Sequence, residues 1–181
     1  MRSNQRILGL LVLLAAGAFL RLIPHPWNFT PIGAMALLGG AALRGRPLLA
    51  FLLPLGSLLA GDILLEVFTG YGFHAGMPVV YASFAFTVVI GIVVGSRRST
   101  APAIAGGAIA SAVLFYLTTN YWMWTVSVMY PPTAAGLVAC YVAGLPFLGN
   151  QVAGDLLYSG VFFGAHAWMQ RRVATAGPGV P

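Results

Sequence analysis

Long apolar stretches, interrupted by short polar or proline-containing segments, dominate this chain. A helix needs about 20 apolar residues to cross a bilayer core that is about 30 Å thick. Six stretches approach this length, at residues 7–23, 31–43, 48–68, 78–95, 101–119 and 151–169. We therefore predict an all-α fold, a polytopic membrane bundle of six transmembrane helices.

The second predicted helix is short for a membrane span. Pro31 is a natural first helical residue, with Thr30 as its cap. The 13 residues of 31–43 extend only about 20 Å as a helix. Two interpretations stay open: Arg44 and Arg46 snorkel to the interface, or the loop before Pro31 dips into the outer half of the bundle.

The last apolar region, 134–169, is too long for one span, because 36 helical residues would extend about 54 Å. Pro146, Gly149 and Asn150 mark a break within it. The pattern thus predicts an extra short outer-side helix at 134–145, before the last span. We expect residues 1–173 to form a single transmembrane domain and 174–181 to form a short flexible tail.

Composition makes the lipid bilayer the expected partner. The chain is 59% hydrophobic and 7% charged, whereas soluble domains carry about 25% charged residues. All nine basic residues are arginines, and with six spans eight of them fall on one side: Arg2, Arg6, Arg44, Arg46, Arg97, Arg98, Arg171 and Arg172. The positive-inside rule then predicts a bacterial inner-membrane protein with both termini cytoplasmic. No basic run suggests nucleic-acid binding.

The N-terminus also resembles a signal peptide. Arg2 and Arg6 precede an apolar run, and Ala16, Gly17 and Ala18 offer a cleavage pattern. Because the apolar run continues to residue 23, we expect a retained first helix instead of a cleaved one.

One segment is chemically dense. Residues 21–31 hold an arginine, a histidine, a tryptophan, an asparagine, a threonine and three prolines. Proline disfavours helix at the preceding residue, so we expect an ordered, non-helical crossing at the outer face. Such backbone survives at membrane depth where it lines a cavity or is buried in protein.

The three acids, Asp62, Glu66 and Asp155, all lie inside predicted helices at the same outer level as Arg21. Ionisable groups at membrane depth usually face the bundle interior and have a partner. We expect an Arg21–Asp62 or an Arg21–Asp155 ion pair. Three interpretations follow: a structural clasp, a binding site for a polar small molecule, or a proton-coupled role for Glu66.

Aromatic residues gather in and beside the outer loops, whereas Trp168 is the only tryptophan or tyrosine near the predicted cytoplasmic boundary. An interfacial belt alone would occupy both faces, so the asymmetry favours a ring-stacking pocket. In this pocket Arg21 would supply charge, the aromatic rings would stack, and the asparagines would orient the ligand. The predicted substrate-binding residues are Arg21, His25, Trp27, Asn28, Asp62, Asn120, Trp124 and Asp155.

Motifs for catalysis or metal binding are absent from the sequence, including a P-loop, HExxH and GxSxG. We expect no enzyme, cofactor or metal, and Cys140 is the sole cysteine. An intramembrane hydrolase using Asp62 and Asp155 is the third-ranked hypothesis.

Several segments carry a family resemblance. RLIPHPWNFTPIGAMALLGGA (21–41), the Asp62 helix, TNYWMW (119–124), YPPTAAGLVACYVAGLPF (130–147) and GDLLYSGVFFG (154–164) resemble an uncharacterised bacterial integral-membrane family, a domain of unknown function. More distantly, the six-helix layout is similar to substrate-binding S components of energy-coupling factor vitamin transporters.

The transporter resemblance implies that a small molecule binds at the outer face for uptake and that a transmembrane coupling subunit is the partner. Some S components dock through an Ala-xxx-Ala pair on the first helix, which this chain lacks. The alternative function is an assembly or anchoring subunit in which the buried charges are structural.

Overall fold

Within the residues that the structure describes, the chain folds into six α-helices and contains no strand. The structure is a computed structural model that describes the backbone of residues 2–97 and 99–175 and the side chains of residues 7–97 and 99–172. The helices are α1 (Arg2–Leu20), α2 (Ile32–Ala42), α3 (Pro47–Thr69), α4 (Met77–Ser96), α5 (Ala101–Val126) and α6 (Ala134–Thr175). The all-α prediction is confirmed. Arg98 and residues 176–181 of the predicted tail lie outside the described residues, and the domain assignment stays a prediction.

Helix α2 occupies the centre of the bundle and packs against each of the other five helices. Its sequence, IGAMALLGGAA, contains no polar side chain, and every residue from Ile32 to Ala41 is buried. A helix that is apolar all round belongs in a core. Its 11 residues extend only about 16 Å, so α2 is an internal helix shorter than the bilayer core.

Glycines permit the close contact between α2 and α4. A Cβ atom on Gly40 would overlap the Val88 carbonyl, and one on Gly91 would overlap the Leu37 carbonyl. Because the overlapping partners are backbone atoms, neither can move aside cheaply. Small residues of this kind allow membrane helices to approach closely.

Four helical segments are long and apolar enough to cross a membrane: Pro47–Thr69, Met77–Ser96, Ala101–Val126 and Ala134–Arg172. Two further apolar segments among the described residues, Ile7–Leu20 and Ile32–Ala42, are shorter. A helical membrane protein is therefore supported, whereas the six-span topology stays a prediction.

The separate outer helix predicted at 134–145 is not observed, because those residues form the first part of α6. The predicted break fails because Pro146 removes only one backbone donor from a helix of 42 residues. Membrane helices tolerate an interior proline when neighbours satisfy the freed carbonyl. Gly149 and Asn150 remain helical.

The start of α2 also differs from the prediction. Pro31, not Thr30, occupies the cap position, and no side chain caps the helix. At the other end, Arg44 donates a hydrogen bond to the carbonyl of Gly95 on α4. This contact fixes the chain as it leaves α2 toward α3.

Candidate functional site

The proline-rich segment between α1 and α2 forms a turn that α6 holds in place. The Phe29 amide donates to the Pro26 carbonyl over 3.0 Å, and Asn28 adopts a positive φ of 62°. Asparagine tolerates this left-handed conformation better than most residues. The Asn150 side chain donates to the Trp27 carbonyl over 3.1 Å, so α6 anchors the turn.

Arg21, Asp62 and Tyr81 form a polar group that we call the Arg21 cluster, in which Asp62 is buried and the other two residues are half-buried. Arg21 Nη2 lies 2.7 Å from Asp62 Oδ1, and Arg21 Nη1 donates to the Leu58 carbonyl over 3.1 Å. The Tyr81 hydroxyl donates to Asp62 Oδ2 over 2.6 Å. The cluster joins the end of α1 to α3 and α4, and both carboxylate oxygens of Asp62 have partners.

Gly61 makes room for the arginine. A Cβ atom there would lie 2.8 Å from Arg21 Nη1, so the guanidinium lies directly across the α3 backbone. One helical turn away, the Ser57 hydroxyl donates to the Leu14 carbonyl over 2.8 Å. These two contacts fix α1 on α3 and determine which carboxylate the arginine reaches.

A cavity of about 560 Å³ borders the Arg21 cluster, and we call it the Arg21 cavity. Besides the cluster itself, it is lined by Asn28, Thr30, Ile32, Leu58, His74, Ala75, Gly76, Met77, Val79, Val80, Phe84, Phe115, Thr119, Trp122, Met123, Val126 and Gln151. An ion pair, a hydroxyl and amides therefore face an otherwise apolar and aromatic wall. Ligand pockets commonly combine a few polar groups with such a wall.

The eight predicted site residues do not all meet. Arg21, Asn28 and Asp62 line the Arg21 cavity. His25 bonds the Pro26 carbonyl, and the side chain of Trp27 is 79% exposed.

The remaining three lie on α5 and α6. Asn120 donates to the Tyr116 carbonyl on its own helix, and Trp124 donates to the Pro131 carbonyl. Neither lines the Arg21 cavity, where Trp122 supplies the tryptophan ring instead. Asp155 is buried one helical turn beyond the cavity residue Gln151.

Glu66 holds the loop that follows α3. Its Oε2 accepts hydrogen bonds from the amides of Gly72 and Phe73, over 3.0 and 3.1 Å. These contacts satisfy two backbone donors of the loop itself. They account for Glu66 as a structural group, and the proton-coupled role predicted for it stays a prediction.

A second polar group runs along α6. Gln151, Asp155 and Ser159 are spaced four residues apart, on one face of the helix, and are 5%, 2% and 1% exposed. We call them the α6 polar stripe. Within the described residues, Gln151 Oε1, Asp155 Oδ2 and Ser159 Oγ have no hydrogen-bond partner. Unpartnered buried polar atoms are rare and point to a function or a bound group.

A larger cavity, of about 740 Å³, lies at the opposite end of α2, and we call it the Arg44 cavity. Its wall includes Leu38, Gly95, Phe163 and the polar side chains of Arg44, Ser99, Ser159, His166 and Gln170. The His166 and Gln170 side chains are 2.6 Å apart. The stripe thus touches one cavity at Gln151 and the other at Ser159.

Four residues that line the cavities are not among the predicted site residues: Tyr81, Trp122, Gln151 and Ser159. The spacing of Gln151, Asp155 and Ser159 was a usable signal, since polar residues four apart share a helix face. Tyr81 had no such signal, because its contact with Asp62 depends on how α3 and α4 pack. Among the described residues, no three His, Cys, Asp or Glu side chains are grouped to hold a metal ion.

The all-helical architecture, the four long apolar helices and the buried charges define the class, an integral membrane protein of the helical type. The chain belongs to DUF6580, a family of unknown function whose family model matches residues 1–176. No curated protein and no solved structure matches the chain significantly.

Proposed function

We propose that the protein binds a small polar molecule in the Arg21 cavity for uptake across a bacterial inner membrane. The observation that carries this proposal is the wall of the cavity. A volume of about 560 Å³ falls within the roughly 300–1,000 Å³ of small-molecule pockets. The ion pair of Arg21 and Asp62 and the hydroxyl of Tyr81 supply charge and hydrogen bonds at one side of it.

The remaining wall favours a ligand with a flat or apolar part. Phe115 and Trp122 supply rings, and Asn28 and Gln151 supply amides. Gln151 Oε1, which lacks a partner in the described residues, is free to accept a hydrogen bond from a ligand. These rings and amides are sufficient to bind a ligand, and the proposed function includes no reaction.

Six spans with both termini in the cytoplasm are part of the proposal. The eight arginines on the predicted cytoplasmic side support this orientation. In this arrangement the Arg21 cavity opens outward. A coupling subunit would supply the energy for uptake, as in the transporters that the sequence resembles.

Native mass spectrometry of the purified protein tests the proposal by seeking a co-purified small molecule. Thr119→Phe should fill the Arg21 cavity, which Thr119 lines, and should abolish the added mass. Leu117→Phe is the matched control, because Leu117 lies on the same helix but is 47% exposed. Equal ligand retention in both variants, or no added mass in the wild type, would count against the binding site.

A structural clasp is the second candidate, and the complete pairing of Asp62 favours it. Under this alternative the Arg21 cluster only joins α1, α3 and α4, and a protein acting in assembly or anchoring would need no ligand. The two candidates predict different results for Thr119→Phe: the clasp leaves every property of the purified protein unchanged except thermal stability.

A further inference from the structure

The α6 polar stripe extends from the wall of one cavity to the wall of the other. Gln151 lines the Arg21 cavity, and Ser159 lines the Arg44 cavity. Eight residues of helix separate them, or about 12 Å along the axis. Asp155 is midway, one turn or about 6 Å from each. A carboxyl group therefore occupies the interior between two cavities.

Asp155 has little to hold it as an anion. Its side chain is 2% exposed, and a buried charge is costly without a partner. Gln151 lies one helical turn away on the same face of α6, while Oδ2 has no partner among the described residues. The carboxyl group packs on Gly33, where a Cβ atom would overlap it.

Among the side chains that the structure describes, the helices that pack against α6 supply no counter-ion to Asp155. Helices α1, α2 and α5 pack against α6, and residues 7–20, 32–42 and 101–126 contain no Arg, Lys, His, Asp or Glu. The titratable groups of α5 are Tyr116, whose hydroxyl donates to the Tyr141 carbonyl, and Tyr121, which packs on Trp124.

The remaining titratable groups lie in the preceding segment and on α6 itself. Arg21 pairs with Asp62 instead of Asp155, and His25 bonds the Pro26 carbonyl. On α6, the Tyr158 ring is tilted against Phe29, and the Tyr141 hydroxyl donates to the Leu117 carbonyl. His166 lies beside Gln170 in the Arg44 cavity. Arg171 and Arg172 are at least 16 residues beyond Asp155, or about 24 Å along the helix axis. The amino end of α2 lies next to the Asp155 carboxyl group, because Gly33 is in the first turn of that helix. The partial positive charge of a helix amino end favours an anion there.

We infer that Asp155 is a proton-binding site reached from both cavities, so that α6 carries a proton path through the bundle. A hydronium ion in the Arg21 cavity transfers its proton to Oδ2, forming the O–H bond and leaving water. The O–H bond then breaks, and water in the Arg44 cavity accepts the proton. Gln151 and Ser159 provide hydrogen-bonding groups on either side. The inference goes beyond the proposed ligand site and does not depend on it.

Infrared difference spectroscopy of the purified protein tests proton binding directly and needs no ligand. The chain has only two aspartates, Asp62 and Asp155, so carbon-13 labelling of aspartate separates them from Glu66. We expect acidification to produce the carbonyl band of a protonated carboxyl group, and labelling to shift it. Asp155→Asn should remove the band, whereas the matched control Glu66→Gln should retain it.

Asp155→Glu is a second variant that keeps a carboxyl group at this position, and it controls for misfolding of Asp155→Asn. In this variant a protonation band should persist but should no longer respond to aspartate labelling. The inference is overturned by an aspartate band that survives in Asp155→Asn, or by the absence of any pH-dependent aspartate band in the wild type.

Access from two sides is tested by cysteine labelling in sealed vesicles of both orientations, in a Cys140→Ala background. We expect a charged, membrane-impermeant thiol reagent to modify Gln151→Cys from one side and Ser159→Cys from the opposite side. Leu157→Cys is the control, because Leu157 is 54% exposed on the bundle exterior and should react from neither side. Modification of both stripe positions from the same side, or of neither, overturns two-sided access.

Discussion

Two buried aspartates in this molecule have opposite surroundings. Asp62 is 5% exposed and has both oxygens paired, one with Arg21 and one with Tyr81. Asp155 is 2% exposed, and its Oδ2 has no partner among the described residues. The two aspartates are thus similarly buried, but the carboxylate of Asp62 has a partner for each oxygen and that of Asp155 does not.

The difference shows why burial alone does not assign a role to an acid in a membrane protein. Removing one member of a saturated pair leaves a charge stranded in a medium of low dielectric constant. Removing the charge of Asp155 leaves no partner charge buried, because no described side chain pairs with it. Asp62 should therefore dominate stability, and Asp155 should dominate proton binding.

Arg21→Ala should have the largest effect, because it leaves the Asp62 charge buried without its partner. We expect a loss of about 3–5 kcal/mol in the free energy of unfolding, measured by denaturant titration in detergent micelles. The double variant Arg21→Ala, Asp62→Asn should recover much of that loss, since it removes the stranded charge. A double variant as unstable as the single one would show that the charge pair is not the cause.

Tyr81→Phe tests the second partner of Asp62. It removes one hydrogen bond to a charged group, which contributes about 1.5–3 kcal/mol, and leaves the ring packing intact. The same unfolding titration measures the loss. Tyr158→Phe is a control, because among the described residues the Tyr158 hydroxyl has no hydrogen bond to the Arg21 cluster or to the α6 polar stripe. Equal losses of stability in the two variants would argue against a stabilising hydrogen bond between Tyr81 and Asp62.

Gly33→Ala perturbs the surroundings of Asp155 without changing its charge. The added methyl group would overlap the carboxyl group, and overpacking of this kind costs about 1–3 kcal/mol. The variant Gly33→Ala, Asp155→Ala should regain stability, because the smaller side chain vacates the space. A double-mutant cycle with no coupling energy would show that the two residues do not touch.

Asp155→Asn should have the smallest effect on stability. It preserves shape and breaks no ion pair, so we expect a change within about 1 kcal/mol, the net value of a typical hydrogen bond. The comparison between the aspartates fails if this variant loses as much stability as Arg21→Ala. A small loss accompanied by the missing infrared band would separate stability from proton binding.

Much of the fold follows from the sequence, because lipid leaves few alternatives to a helix. Backbone polar groups have no water to bond in the bilayer core, so apolar stretches must become helices. The predicted helices at 48–68 and 78–95 match α3 and α4 to within one residue at each end. The sequence also limited the partner of Arg21 to an aspartate, either Asp62 or Asp155.

The tertiary structure alone decided how these helices meet. Contacts of α1 on α3, and the space above Gly61, bring Arg21 to Asp62 and leave Asp155 against Gly33. The short α2 became the centre because its glycines admit the backbone of α4. Helix α6 stayed continuous through Pro146, because a single proline removes only one backbone donor from a long helix. Helix formation in lipid is a local consequence of residue type, whereas partner choice depends on atoms that are distant in sequence.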